Sequence, residues 1–171
     1  KNIDLKKLNS IELAELQLHS NERLVRNARR ILQERAEEGK DLTDAKQRLE
    51  EILAKNPNVT RKLRALWCLY GIGELDAKRL GLLLRHKEEH IRVWAIQLLV
   101  DFGSPNVETI DLFTSLAITE QSGLVRLYLA SAMRKLPLEK RWPLATALGN
   151  REDLNEDPVF PLMLWYGIES A

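Results

Sequence analysis

The sequence predicts an all-α fold: a right-handed α-solenoid of about five HEAT-like helical hairpins. Three observations lead there. Turn formers are scarce, with 8 Gly and 6 Pro in 171 residues, about 8% of the chain against a usual ~12%. Strand signals are nearly missing: no Asn-Gly or Asp-Gly hairpin turn occurs, and no sustained period-2 alternation. Apolar residues recur instead at helical spacing, in stripes that follow one another every 28–38 residues.

The elements follow in order. Amphipathic segments at roughly 10–18, 43–55, 75–85, 106–119 and 138–149 form the first helix of each unit. Four second helices are entered by an apolar residue followed by arginine, at Val25-Arg26, Leu63-Arg64, Ile91-Arg92 and Val125-Arg126. A fifth, Pro161–Ser170, opens on Pro161-Leu162. Within the second helices, residues 63, 66, 67 and 70 follow the i, i+3, i+4, i+7 pattern. So do Ile91, Trp94, Ala95, Leu98 and Phe102, and Val125, Tyr128, Leu129, Ala132 and Leu136. The segment 91–100 is apolar nearly all round, which predicts burial on several sides at the centre of the array. The repeats then run approximately 1–40, 41–73, 74–104, 105–137 and 138–171. The variable period suits short HEAT units better than a strict 34-residue tetratricopeptide array.

Turn chemistry agrees. Pro57 in Asn56-Pro57-Asn58 suits the first turn of the next helix. Gly71 and Gly73 suit a helix C-terminus, and Thr43 a helix N-cap. Ser104-Pro105 and the acidic stretch 150–158 read as loops.

Composition bounds the function. With 26 basic and 25 acidic residues, net charge +1, the chain carries no global field for nucleic acid or an acidic membrane. No apolar run approaches the ~18 residues of a membrane span, so direct membrane insertion is not expected. Cys68 is the single cysteine, which excludes an internal disulfide and suggests a small core hydrophobe. The chain starts at Lys1 without Met and shows no signal pattern, and the expectation is an excised or processed piece.

The sharpest motif is the recurring Arg26, Arg64, Arg92 and Arg126, all at one angle on the helical wheel, about 100° from the leading apolar residue. Guanidinium groups so placed either grip phosphate or carboxylate or bond internally between repeats. The internal reading, a structural ladder, is preferred, because one arginine per repeat at a fixed position is what stacking needs. Trp67 and Trp94 fall on core stripes. Trp142 and Trp165 are assigned to core or inter-repeat contacts rather than to base stacking. His86 and His90 are spaced i, i+4 but straddle a turn, so no metal site is assigned. Phosphate loops, nucleophile elbows and Cys-x-x-Cys-His are absent, so the chain has no catalytic or cofactor-binding residues to nominate. Asp101 near Trp94 is the one pair that suggests the alternative, a HEAT-like nucleic-acid-binding protein or DNA glycosylase. A pigment lyase of the HEAT type is a weaker third option.

The stretches 18–23 and 28–36, Arg61 through Trp67, and His86 through Leu99 together resemble one family. So do Leu124 through Ala132, Leu136 through Pro143, and Pro161 through Glu169. They are similar to the HEAT-like segment of the large bacterial membrane-bound dehydrogenase-like proteins, also called haem-binding CxxCH multidomain proteins. The resemblance covers about residues 15–170 and lies in packing motifs. It implies an exported, periplasmic parent that joins a sugar-dehydrogenase-like propeller, this helical segment and a cytochrome c domain. For this chain it implies a non-catalytic scaffold or protein-interaction module without cofactor, which docks neighbouring domains of the parent or a protein partner.

Overall fold

The computed structural model describes residues 4–101, 105–150 and 157–169, and it is all-helical among them. The α-helices are α1 (Ser10–Glu15), α2 (Glu22–Glu37), α3 (Thr43–Lys55), α4 (Val59–Gly71) and α5 (Ala77–Leu83). They continue as α6 (Glu89–Asp101), α7 (Val107–Thr119), α8 (Gly123–Ala132), α9 (Leu138–Gly149) and α10 (Phe160–Ile168). Short 3-10 turns occupy Leu5–Lys7, Leu16–Leu18 and Met133–Lys135. These bounds lie within a few residues of those read from hydrophobic spacing. Phe102, Ser104 and Ser170 fall outside the described residues.

The chain divides into two compact units, Lys1–Asp76 and Ala77–Ala171. In the first, α1 packs on α2 and α3 on α4, while α1 also packs on α3 and α2 on α4. In the second, α5 pairs with α6, α7 with α8 and α9 with α10. There α6, α8 and α10 pack in sequence in one layer, and α5, α7 and α9 in the other. Within each unit, then, alternate helices share a layer and consecutive helices join the layers. Helices amphipathic at a 3.6-residue period bury their stripes this way without any strand.

Local caps place the helix starts. Asn9 and Glu12 form a reciprocal capping box on α1, each accepting from the other's backbone N–H, at 2.9 and 2.7 Å. Asn21, Asn58, Asn106 and Ser122 accept from amides in the first turns of α2, α4, α7 and α8. Thr43 is not a cap. It is the first residue of α3, and the Asp41 carboxylate accepts from both its N–H and its hydroxyl, at 2.9 and 2.7 Å. Gly71 still belongs to α4; Gly73, with φ 79°, makes the left-handed turn that follows. Gly167 permits the close approach of α10 to the end of α8: a Cβ there would stand 3.1 Å from the Ala130 carbonyl oxygen and collide with Met133 Cε.

The core is aliphatic. Leu66 and Leu69 are fully buried in the first unit, and Leu80, Ile91, Ile96, Leu129 and the larger Phe113 in the second. Helix α6 is buried at Ile91, Val93, Ala95, Ile96, Leu98 and Leu99, over more than half of its circumference. Trp67 and Trp94 depart from expectation: both are half-buried, not core. Their neighbours Leu66, Cys68, Ala95 and Ile96 take the interior positions, so the buried arc is rotated by about one residue from the stripe read in sequence. The Arg29 guanidinium lies 5.4 Å from the Trp67 ring centre, within cation–π reach. Burial lowers the pKa of Arg29.

Cys68 is fully buried in α4. Burial pushes its thiol up to about 12, despite the opposing pull of Arg29. Only the thiolate reacts, so a thiol reagent is expected to label Cys68 at the rate of unfolding and not before. Labelling followed against denaturant checks this, and rapid modification of the native chain contradicts the burial.

Candidate functional site

Four of the turns between paired helices share one arrangement. At each, a side-chain acceptor takes the backbone N–H two residues ahead. His19 Nδ1 accepts from Asn21 at 2.9 Å, Asn56 Oδ1 from Asn58 at 2.9 Å, His86 Nδ1 from Glu88 at 3.0 Å, and Glu120 Oε1 from Ser122 at 2.8 Å. The helix begins immediately beyond. Six residues after the acceptor stand Lys62, Arg92 and Arg126, each the fourth residue of its helix. Their side chains lean toward the helix N-terminus, as helical side chains do, and reach back to carbonyl oxygens that no helix satisfies.

The bonds are specific. Lys62, 2% exposed, donates through Nζ to the Leu53 and Ala54 carbonyls at 2.5 and 2.9 Å. Arg92 donates to the His86 and Lys87 carbonyls at 2.7 and 3.1 Å. Arg126, 1% exposed, donates through Nε to the Glu120 carbonyl at 2.8 Å. Arg141, the fourth residue of α9, does the same to Leu136 at 3.0 Å and also reaches the Gly167 carbonyl of α10 at 3.1 Å.

At the first turn the sixth residue is Val25, which carries no donor. Arg64 from α4 serves that turn instead, donating to the Gln17 and His19 carbonyls at 3.3 and 2.9 Å and pairing with Glu22. The buried Gln17 amide completes the arrangement by donating to the Leu13 and Val25 carbonyls. Of the four arginines aligned in sequence, Arg64, Arg92 and Arg126 are thus bonded inward, while Arg26 is exposed on α2. The apolar-Arg pair misaligned α4: counted from the helix start, Lys62 is the equivalent of Arg92 and Arg126, and Arg64 lies half a turn further on. The signal for Lys62 was present, six residues beyond Asn56, but it depended on knowing where the helix began.

Glu120 links neighbouring hairpins in the second unit. Its carboxylate receives Arg92 Nε and Nη2 at 2.7 and 2.8 Å and the Gln121 and Ser122 amides at 2.9 and 2.8 Å. Ser122 in turn bonds Glu89 at the start of α6. Burial by itself raises the Glu120 carboxyl, but the Arg92 and backbone bonds outweigh it and hold the group below the ordinary carboxylate range.

The remaining sequence motifs are dispersed. His86 lies in a turn and His90 in α6, and the described residues hold no group of three His, Cys, Asp or Glu side chains that could take a metal. Asp101 lines a groove between α6 and α8 with Tyr128 and Lys135, but Trp94 does not. Of the neighbouring cations Arg61, Lys62 and Arg64, only Arg61 is exposed. Trp142 and Trp165 are exposed, which corrects their assignment to internal contacts. A groove of about 550 Å³ in the first unit is lined by Lys40, Asp41, Lys46, Glu50 and Glu74 among others; Lys46 pairs with Glu74. No protein-family model matches the chain, and neither does any curated protein.

Two outcomes test the turn arrangement. Replacing Lys62 with Met leaves buried carbonyls without their donor and is expected to cost about 1–3 kcal/mol. Arg92→Ala should cost a similar amount, and Arg26→Met should stay within ~0.5 kcal/mol. Denaturant midpoints measure all three, and equal effects at positions 26 and 62 contradict the assignment. Glu120→Gln reads the pH linkage. A carboxyl depressed on folding adds stability above its unfolded pKa of ~4.3 and loses it as pH falls through the folded value. The deficit of the variant, about 2 kcal/mol at neutral pH, should therefore shrink below pH ~4.

Proposed function

We propose that this chain is a right-handed α-solenoid of five HEAT-like hairpins that acts as a non-catalytic scaffold or protein-interaction module. Its place is within a larger exported, periplasmic protein of the dehydrogenase-like, cytochrome c-containing kind that the sequence resembles. The observation that carries the reading is the layered packing: in each unit alternate helices stack within a layer, and recurrent cations brace the turns that join the layers. Stacked hairpins of this kind present an extended surface built from inner helices, on which a neighbouring domain or a protein partner docks. The ladder arginines support this role over anion binding, because Arg64, Arg92 and Arg126 direct guanidinium donors to carbonyls and carboxylates of the chain itself.

The purified chain tests the reading directly. Titrated with haemin, it should give no stoichiometric Soret band, and with a sugar and a redox dye it should give no reduction. Either signal places redox chemistry in this chain and overturns the scaffold assignment. With Lys62 and Arg64 committed to carbonyls, a labelled DNA duplex should show no sub-micromolar binding near physiological salt, and a salt slope no steeper than about −1. Tight binding with a steep slope favours the nucleic-acid alternative.

A further inference from the structure

We propose that the seam between α2 and α4 is a docking surface for an extended acidic segment of a partner polypeptide, whose carboxylates pair with Arg26, Arg29 and Arg30. The inference rests on the interaction-module reading above and names the chemistry of the partner. From Glu22 to Arg30, helix α2 carries four arginines and one glutamate. Glu22, Arg26, Arg29 and Gln33 share one edge of that helix. Three of them meet α4: Glu22 pairs with Arg64, Arg29 lies over Trp67, and Gln33 stands beside Gly71. Arg26 is thereby placed along the same seam, with Arg30 one turn further on. The seam is framed by two helices that pack on one another, so its openness does not depend on what precedes or follows the chain.

The positive charge here is unmet. Glu22 is committed to Arg64. Arg30 has an exposed pairing with Glu34 at 3.4 Å, which is weak in water. The side chains of Arg23 and Arg26 form no ion pair or hydrogen bond among the described residues. The half-buried Arg29 guanidinium has an aromatic ring where a carboxylate would serve it better. Burial lowers its pKa; Cys68 and Glu22 oppose that, while Arg26 and Arg64 add to it, as crowded cations do. Carboxylates set against these arginines relieve the crowding and match the guanidinium fork.

Spacing and surroundings favour a peptide as the occupant. Side chains on one face of an extended segment recur every ~6.8 Å, near the ~5–6 Å that separates Arg26 from Arg29 and from Arg30. Leu63 and Tyr70, half-buried on the same face of α4 as Trp67, supply an apolar border for peptide side chains. A nucleic-acid strand gains less. Arg29 already lies over the Trp67 ring, where a base would otherwise stack, and a few cations release too few counterions for tight binding near physiological salt.

Fluorescence anisotropy of the full chain with a labelled peptide of alternating glutamate and alanine tests this. The comparisons are the same peptide with glutamine in place of glutamate, and a labelled single strand of DNA. The expected result is saturable binding of the glutamate peptide that weakens as salt is raised, with the glutamine peptide at least ~10-fold weaker. Arg26→Glu should weaken the glutamate peptide at least ~10-fold, and Arg26→Met about 5-fold, with helical circular dichroism retained. Lys55→Met, at an exposed position on α3, should leave it unchanged. Equal binding of the two peptides overturns the proposal, as does no binding, or binding that Arg26→Glu does not weaken. These outcomes leave the scaffold reading standing, because the haemin and dye tests decide it. Tighter binding of the DNA strand than of the glutamate peptide overturns both.

Discussion

The described turns of this protein share one electrostatic problem. Where a helix ends, the carbonyl oxygens of its last residues and of the turn that follows have no intrahelical donor, and packing takes several of them wholly or partly out of water. An unmet buried carbonyl is costly. The chain answers with long cations: Lys62 on Leu53 and Ala54, Arg92 on His86 and Lys87, Arg126 on Glu120, Arg141 on Leu136. Arg35 does the same at the chain's beginning, donating to the Leu8 carbonyl at 2.7 Å and to Ser10 at 3.0 Å. The layered packing depends on these bonds because they let paired helices close without leaving polar backbone stranded.

The position of the cation follows from helix geometry. A positive group near a helix N-terminus opposes the macrodipole of that helix. It is favoured by the carbonyls of the preceding turn, or for Lys62 by those at the end of α3, and the backward lean of its side chain carries the charge across to them. Acidic groups settle the N-terminal ends: Glu22 beside Arg64, Glu89 beside Ser122, Glu120 beside Arg92. Glu120 goes further by joining Arg92 of one hairpin to the turn of the next, so the same chemistry that closes a turn also connects neighbouring hairpins in the second unit. Three of the four recurring arginines, Arg64, Arg92 and Arg126, are thereby bonded to groups of the chain itself.

Apolar side chains divide by size. Leucine, isoleucine and alanine fill the interior, while the tryptophans stand at its margins: Trp67 under Arg29, Trp94 half-buried on α6, Trp142 and Trp165 open to solvent. The last hairpin differs from the others in leaving much of its apolar surface uncovered. On the other side Gly167 lets α10 approach the end of α8 closely.

Helix existence and order were legible in the residues, because a 3.6-residue apolar period and scarce turn formers leave few alternatives. The recurring arginines do not share one fate: Arg92 and Arg126 donate to backbone carbonyls of the chain, while Arg26, at the same place in its repeat, is exposed. The sequence could not separate Arg26 from Arg64, or find Lys62, because an apolar-Arg pair does not mark a helix start; a cap does, and the geometry of Asn58 and Ser122 emerges only on folding. Nor could it distinguish a half-buried Trp67 from a core one, because the apolar spacing is the same for both and only packing sets which arc of the helix is buried. Local physics, propensity and period, is written in neighbouring residues. Which carbonyl a cation meets, and which apolar face stays open, was decided by tertiary structure, because it depends on groups as far apart as Arg64 and Gln17 or Arg92 and Glu120.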